Sequence, residues 1–391
     1  MNIGGCEKHI LNVFPQINRE KFKIDIHTTR KKGELAFELE KKMISVKNPK
    51  NIFILEKAPR LISSRLYFIF YLINIRKLIQ KEKYDIIHFF LPESYIAAGL
   101  VTLKIPNIKR VMSRRSLNEY QKKHPFLSKI ERRLHSRMNA ILGNSNAVCN
   151  NLLAEGAPSK KVGILYNGVN INPPSKKTPK EDLFLDFGIN SHTLIFTIVA
   201  NLLPYKGHMD LLLALSYIQH LLPQNWVTLV VGRDDGIGRS LQAKSHELGL
   251  EKNIRWLGSR SDVLDILEIS DIGILSSHEE GFSNAILEGM AASLPMVVTD
   301  VGGNKEAVID GITGYVIPPN NPEAMANAIF TLSRDEELRE KMGEAARSRV
   351  EDKFSLEHCA KQYENLYEGI IDNPEKSISQ ILKSPLNEEN I

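Results

Sequence analysis

The sequence predicts an α/β protein made of two doubly wound, parallel-sheet domains. Short apolar runs rich in Ile and Val recur along the chain, as expected of strands buried on both faces. Helical patterns separate them, which is the signature of repeated βαβ units. Near the middle, NPPSKKTPKED (172–182) is rich in Pro and Lys and has no periodicity, so it reads as a linker. At 391 residues the chain is also too long for one core of ordinary size.

In the first half, strands are expected at 22–27, 51–56, 85–90, 110–113, 140–145 and 162–167. Together they make residues 1–171 one Rossmann-like domain. In the second half, 183–354, strands are expected at 193–200, 226–232, 253–258, 271–275, 296–299 and 314–318. From Pro322 to about Ile371 the pattern is helical throughout, with SLEHCAKQYENLYEGI (355–370) as the last long helix. From Asn373 to Ile391 the chain is polar and is expected to be loose.

Apolar content of 42% and charged content of 25% are those of a soluble globular protein. Cys6, Cys149 and Cys359 are scattered and odd in number, which argues against a disulfide framework and for a reducing compartment. No C-x-x-C or His cluster at ligand spacing occurs, so no structural zinc is expected. The net charge of +5 conceals a division: residues 1–170 carry 31 Lys and Arg against 13 Asp and Glu, and the remainder is net acidic. A basic first half calls for an anionic partner: nucleic acid, a membrane surface or a phosphorylated substrate. No secretory signal is read at the start. The greasiest run, LYFIFYLINI (66–75), is half the length a spanning helix needs.

The most informative stretch is SSHEEGFSNAILEGMAASLPMVVTDVGG (276–303). It follows one expected strand, contains another (296–299), and carries between them a short helix that opens at Gly281-Phe282-Ser283-Asn284. A strand, a glycine-bearing turn and a helix N-terminus offer backbone N–H groups and a dipole to an anion. Glu280 lies in the loop and Glu288 two turns into the helix, so both can face one crevice. One carboxylate can meet a group beyond the phosphates, and the other can accept hydrogen bonds from a ribose diol.

Glu280 to Glu288 with GFSNAIL between them, followed by MAASLP and TDVGGNKE, resembles the retaining GT-B glycosyltransferases of family 4, group 1 type. The resemblance runs from about Gly4 to Asn373. It implies two Rossmann-like domains facing across a cleft, the second binding a nucleotide sugar, with the helix at 355–372 crossing back to the first. It also implies a first strand ahead of Gly4 and Gly5, central in its sheet and missing from this sequence. Such a gap would leave two unpaired strand edges.

The resemblance assigns roles by position. Lys206, at a strand–helix junction before Gly207, would stabilise the departing diphosphate. Glu280 would position the sugar, and Glu288 would hold the ribose. Gly4, Gly5, Asn201, Gly232, Arg260, Gly281, Phe282, Ser283 and Asn284 would approach the nucleotide sugar. Asn201 stands where the family often has Arg, and Arg233 is a candidate to replace that cation. Gly232 suits a backbone that comes close to a ligand. His88 would face the donor sugar or be a buried structural histidine. Where many members carry a His at the next strand end, this chain reads Ser113-Arg114-Arg115-Ser116, and the two arginines favour an anionic group.

The expected activity is therefore transfer of a sugar, with retention, from a nucleotide diphosphate sugar (uridine on the family's habit) to a lipid-linked or polysaccharide acceptor. No cofactor or metal is expected, because Lys206 and helix termini would take a metal's place. Between Lys104 and Arg137 eleven basic residues face two acidic ones, and PFLSKIERRLHSRM also carries apolar positions. That suits a cytoplasmic protein lying on an anionic membrane surface, without nucleic acid. Two other readings remain: a nucleotide-sugar 2-epimerase, and a non-catalytic nucleotide-sugar-binding partner in a glycan-assembly complex.

Overall fold

The computed structural model describes residues 5–28, 33–47, 72–171 and 178–383. The strand expected at 51–56, Gly4, the start of the apolar run 66–75 and residues 172–177 of the linker lie outside them. The chain forms two compact units, one from the segments up to Gly168 and from Leu356 onward, the other from Val169 to Ser355.

The second unit is a six-stranded parallel sheet built from β7 (Leu194–Val199), β8 (Trp226–Val231), β9 (Ile254–Gly258), β10 (Ile272–Leu275), β11 (Met296–Thr299) and β12 (Gly314–Ile317). Their order is β12-β11-β10-β7-β8-β9. The central strands are buried along their length because helices cover both faces; Phe196, Ile198, Ile274 and Val297 are fully enclosed. From β7 the chain winds outward through β8 and β9, then returns to place β10 on the other side of β7. The winding reverses between β7 and β10, and in open α/β sheets a ligand crevice opens at the carboxyl ends of such a pair.

In the first unit β3 (Ile86–Phe89), β4 (Lys109–Arg114), β5 (Ala140–Gly143) and β6 (Val162–Ile164) form a four-stranded parallel sheet in that order. A separate two-stranded parallel sheet pairs β1 (Asp25–His27) with β2 (Ser45–Lys47). Among the described residues β1 and β3 each have a single strand neighbour. Their residues are mostly half-buried, whereas β5 and β6 are buried throughout. One apolar core, including Val46, Val111, Leu142 and Leu366, is nevertheless shared by both sheets. Tyr84 ties the break at one end, donating to Asp25 Oδ2 at 2.7 Å. The helix Leu356–Asp372 belongs to this unit and packs on the first helix, Gly5–Val13.

Several expectations need correction. The strand expected at 22–27 forms only over Asp25–His27, and β2 was not foreseen. The helix Lys180–Phe187 begins inside the stretch read as linker. Gly5 opens a helix rather than lying in a loop, and a Cβ there would meet nothing within 4 Å. The tail is not loose up to Lys383: Ile378–Leu382 is helical, with a Ser377–Gln380 capping box at its start. Ile378 and Leu382 are buried against β6, where a Cβ on Gly163 would lie 2.5 Å from Ile378 Cγ2.

Candidate functional site

In the second unit, three loops at the carboxyl ends of β7, β10 and β11 lie backbone against backbone. After β7 a short turn, Pro204–Lys206, leads to Gly207 in the left-handed region (φ 68°) and the helix His208–Ile218. A Cβ on Gly207 would sit 1.9 Å from the carbonyl oxygen of Ser276, so only glycine allows this approach. Ser276 Oγ donates to Lys206 O at 3.0 Å, and His278 N–H donates to Tyr205 O at 2.7 Å. The His278 ring meets Asp210 Oδ2 at 2.7 Å and fastens the same two loops a second time. From the other side, Gly303 N–H donates to Gly281 O at 2.9 Å, and Gly302 (φ 55°) passes where a Cβ would be 1.9 Å from Glu280 O.

These contacts bring Lys206 and Glu280 together. Lys206 Nζ lies 2.6 Å from Glu280 Oε1, and Ser277 Oγ donates to the same oxygen at 2.8 Å. The two side chains are 17% and 12% exposed, so the pair is largely withdrawn from water yet open to a ligand. The adjoining helix Asn284–Ala291 starts at Ser283 without a side-chain cap, and His208–Ile218 starts the same way at Gly207. Two helix N-termini thus reach the region, neither of them capped by the side chain of its N-cap residue. Phe282 is buried against Phe354, ring centroids 5.5 Å apart, which anchors the loop. Glu288 is half-buried on the helix that follows. A cation, a carboxylate and helix N-termini at one place can bind a diphosphate and a hydroxylated group beside it.

Other expected residues are engaged differently. Asn201 Oδ1 accepts from Arg233 N–H at 3.1 Å, and the Arg233 guanidinium is paired with Asp235 at 2.6 Å. Gly232 is required for a reason other than ligand approach: a Cβ there would meet the Ala200 carbonyl oxygen at 2.0 Å. Arg260 is tied to Asp262 and Asp186 at 2.6 and 3.0 Å and lies over the Phe187 ring.

In the first unit, Arg114 is not presented to a ligand, which corrects the reading of both arginines as one anion site. Its guanidinium is buried, bonded to both oxygens of Glu155 at 2.7 and 2.8 Å and to Glu131 at 2.5 Å. Arg115 is half-buried among His9, Asn167 and Tyr363. His88 has both ring nitrogens occupied, by Tyr367 Oη at 2.8 Å and Ser113 Oγ at 2.7 Å, and stacks on Phe90. Burial, with Arg115 second, pushes its pKa down to about 3, so the ring is neutral, and both its nitrogens are bonded inside the fold. The sequence reading missed Ser277, the His278–Asp210 pair, His9, Asn144 and Asn167. Asn144 and Asn167 were legible as polar residues at the ends of the expected strands 140–145 and 162–167.

A parallel-sheet unit whose switch point carries an ammonium, a carboxylate and two helix starts is of the α/β class that can receive a phosphorylated ligand there. The model described as "Glycosyl transferases group 1" matches residues 179–349, and "Glycosyltransferase Family 4" matches residues 3–172. The chain belongs to this family of glycosyltransferases, enzymes acting on nucleotide sugars, and has their GT-B fold. The UDP-Gal:alpha-D-GlcNAc-diphosphoundecaprenol alpha-1,3-galactosyltransferase of Escherichia coli is 25% identical over 312 residues, 77% of this chain and 80% of that one. The N-acetyl-alpha-D-glucosaminyl L-malate synthase of Bacillus anthracis is 26% identical over 295 residues, 75% and 76% of the two chains. Among solved structures, a glycosyltransferase from Rickettsia africae aligns with a TM-score of 0.77 at 25% identity, over 95% of this chain and 97% of that one. HepE from Anabaena, crystallised with UDP, aligns at 0.79 with 19% identity, over 94% and 96%. Among the described residues, no helix is long and apolar enough to cross a membrane.

Proposed function

We propose that the protein transfers a sugar, with retention and without a metal ion, from a uridine diphosphate sugar to a lipid-linked or small anionic acceptor. The observation that carries this reading is the Lys206–Glu280 pair, 2.6 Å apart beside two helix N-termini. In the proposed reaction the donor diphosphate takes Lys206 from Glu280. Charge that develops on the leaving oxygen meets the ammonium and helix N–H groups, which are already in position. The freed Glu280 carboxylate accepts hydrogen bonds from the transferred sugar, and Glu288 accepts from the ribose hydroxyls. The leaving diphosphate helps to remove the acceptor proton, so attack and departure occur on the same face.

The donor assignment draws on relatives: the galactosyltransferase is named for UDP-Gal, and HepE was crystallised with UDP. The acceptor assignment draws on names: a diphosphoundecaprenol lipid and L-malate in the two relatives above, and D-inositol 3-phosphate in a Corynebacterium glutamicum glycosyltransferase 30% identical over 225 residues, all of them anionic. Association with an anionic membrane surface at the cytoplasmic face is part of the proposal. On the helix Pro125–His135 and its flanks, Lys122, Lys123, Lys129, Arg132, Arg133 and Arg137 are exposed, and Phe126 is 74% exposed among them. A basic face around a projecting aromatic ring suits an interfacial helix.

The test is a screen of uridine and other nucleotide sugars with acceptors of the three kinds, following nucleoside diphosphate release and the anomeric configuration of the product. Transfer with retained configuration in the presence of a chelator supports the reading. Inversion, chelator-sensitive turnover, or conversion of donor without acceptor contradicts it. Sedimentation with vesicles of anionic lipid at low salt tests the membrane part, which fails if the protein stays in solution.

A further inference from the structure

Asp210 stands in the first turn of the helix His208–Ile218, whose N-cap, Gly207, directly follows Lys206. A carboxylate at that place faces the positive end of the helix dipole. Three positions after the N-cap, it is also within reach of the helix's own first N–H groups, as in a capping box. Asp210 makes no such bond. Its Oδ2 is turned to the ring of His278, 2.7 Å away, and among the described residues that is its side-chain hydrogen bond. An ionised carboxylate only accepts, so His278 Nε2 carries the proton and donates it.

The pair is not needed to join the two loops that carry it. Ser276 Oγ donates to Lys206 O at 3.0 Å, and His278 N–H donates to Tyr205 O at 2.7 Å. Gly207 passes so close to the Ser276 carbonyl oxygen that a Cβ would lie 1.9 Å from it. None of these three contacts uses the His278 ring or the Asp210 carboxylate. The two side chains are 31% and 14% exposed, and a partly exposed pair contributes little to stability.

What the ring controls is where a negative charge stands. Lys206 and Glu280 hold one another at 2.6 Å, whereas Asp210 depends on His278 for its placement. A carboxylate free to swing across the first turn would repel an incoming phosphate and compete for the same N–H groups.

We propose that His278 is a positioning residue for the donor. By holding Asp210, it keeps an acceptor-only group off the helix N-terminus that receives the diphosphate. This rests on the transferase reading above and names the residue that tunes its anion site. Removing the ring loses a contact and frees a charge, and only the second effect requires residue 210 to be a carboxylate.

The experiment is calorimetric titration with UDP, with thermal midpoints measured beside it. The proteins are the wild type, His278→Ala, His278→Gln, Asp210→Asn and the double variant Asp210→Asn with His278→Ala. His278→Ala should weaken UDP binding about fivefold, the size of one unpaired charge at a helix end. His278→Gln should bind within about twofold of the wild type, because its amide N–H can donate to Asp210. Asp210→Asn should bind UDP as tightly as the wild type or more tightly, and adding His278→Ala to it should change nothing further. A mere fastener predicts the reverse: Asp210→Asn weakens binding, and the double variant binds no better than His278→Ala. That result would overturn the proposal, as would undiminished UDP binding by His278→Ala. Should His278→Ala fail to fold, Asp210→Asn decides alone: weaker binding overturns the proposal, and equal or tighter binding supports it. Failure of the wild type to bind UDP would count against the transferase reading, and the proposal would fall with it. Wild-type binding that is indifferent to His278 would count against the proposal alone.

Discussion

The ammonium of Lys206 lies 2.6 Å from the carboxylate of Glu280, although 74 residues separate them in the chain. Neither side chain is on a long element; each is held by a loop whose backbone leans on the other. The two ends of the pair have different work in the proposed reaction, and they should fail differently. Lys206→Ala should weaken UDP binding at least tenfold, because the cation that meets the diphosphate is gone. Glu280→Ala should leave UDP binding intact or tighter, since Lys206 is released, while lowering turnover by about 10²- to 10³-fold. Calorimetric titration with UDP beside turnover assays checks this. Equal loss of UDP affinity in both variants would mean the pair is only structural.

The glycines that let the loops cross are predicted to be unequal. Gly207→Ala and Gly302→Ala each place a Cβ 1.9 Å from a backbone oxygen and demand a positive φ. Gly258 also has positive φ (64°), but a Cβ there meets nothing within 4 Å. Gly258→Ala should cost only the backbone term, about 1–2 kcal/mol. The other two should cost clearly more and lower turnover, because the Lys206–Glu280 pair must separate. Urea unfolding read with activity distinguishes them.

Arg114 and Arg115 should separate in the same way for stability. Arg114→Ala leaves Glu131 and Glu155 buried without their cation, a change of about 3–5 kcal/mol. Arg115→Ala strands no carboxylate and should shift the urea midpoint far less. Burial pushes Glu155 up, but its bonds to His135 and Arg114 outweigh burial and hold it at about 2. With the folded pKa depressed, this stabilisation is present above the ordinary carboxylate range and is lost as pH falls towards 2.

Acid sensitivity should begin higher, through buried neutral histidines. Burial pushes His208 down to about 4 and His88 to about 3. A depressed histidine contributes fully above its unfolded pKa, about 6.5. The contribution falls as pH drops below that value and is gone once the folded pKa is passed. Urea midpoints should therefore decline from pH 7 to pH 4.5, with a shallower decline in His208→Leu. An unchanged slope in that variant would contradict the assignment.

Much of this was legible in the sequence, for identifiable reasons. The second unit's strands are buried on both faces, so WVTLVV and LIFTIV read directly as apolar runs. The Glu280 loop was legible because a strand, a turn and a helix start follow one another locally. The three-residue strand SVK was not, since one buried valine between two polar residues carries no periodicity. ISQIL looked like tail because its partner Gly163 is distant in sequence, and Gly163 and Gly369 invite packing only by lacking side chains. The division between Arg114 and Arg115 was available from strand alternation, with Val111 and Ser113 on one side and Met112 on the other. The carboxylates that decide it, Glu131 and Glu155, come from separate helical segments that only the fold brings together. No spacing rule links Lys206 with Glu280 either; their meeting depends on β7 and β10 being neighbours in the sheet.

The most direct measurement is nucleoside diphosphate release by the wild-type protein and by Glu280→Ala, across nucleotide sugars, with lipid-linked and small anionic acceptors. Acceptor-dependent release from a uridine diphosphate sugar, lost in Glu280→Ala while UDP still binds, is the predicted result. Release that persists undiminished in Glu280→Ala would contradict the account, as would UDP binding by the wild type with no release from any donor.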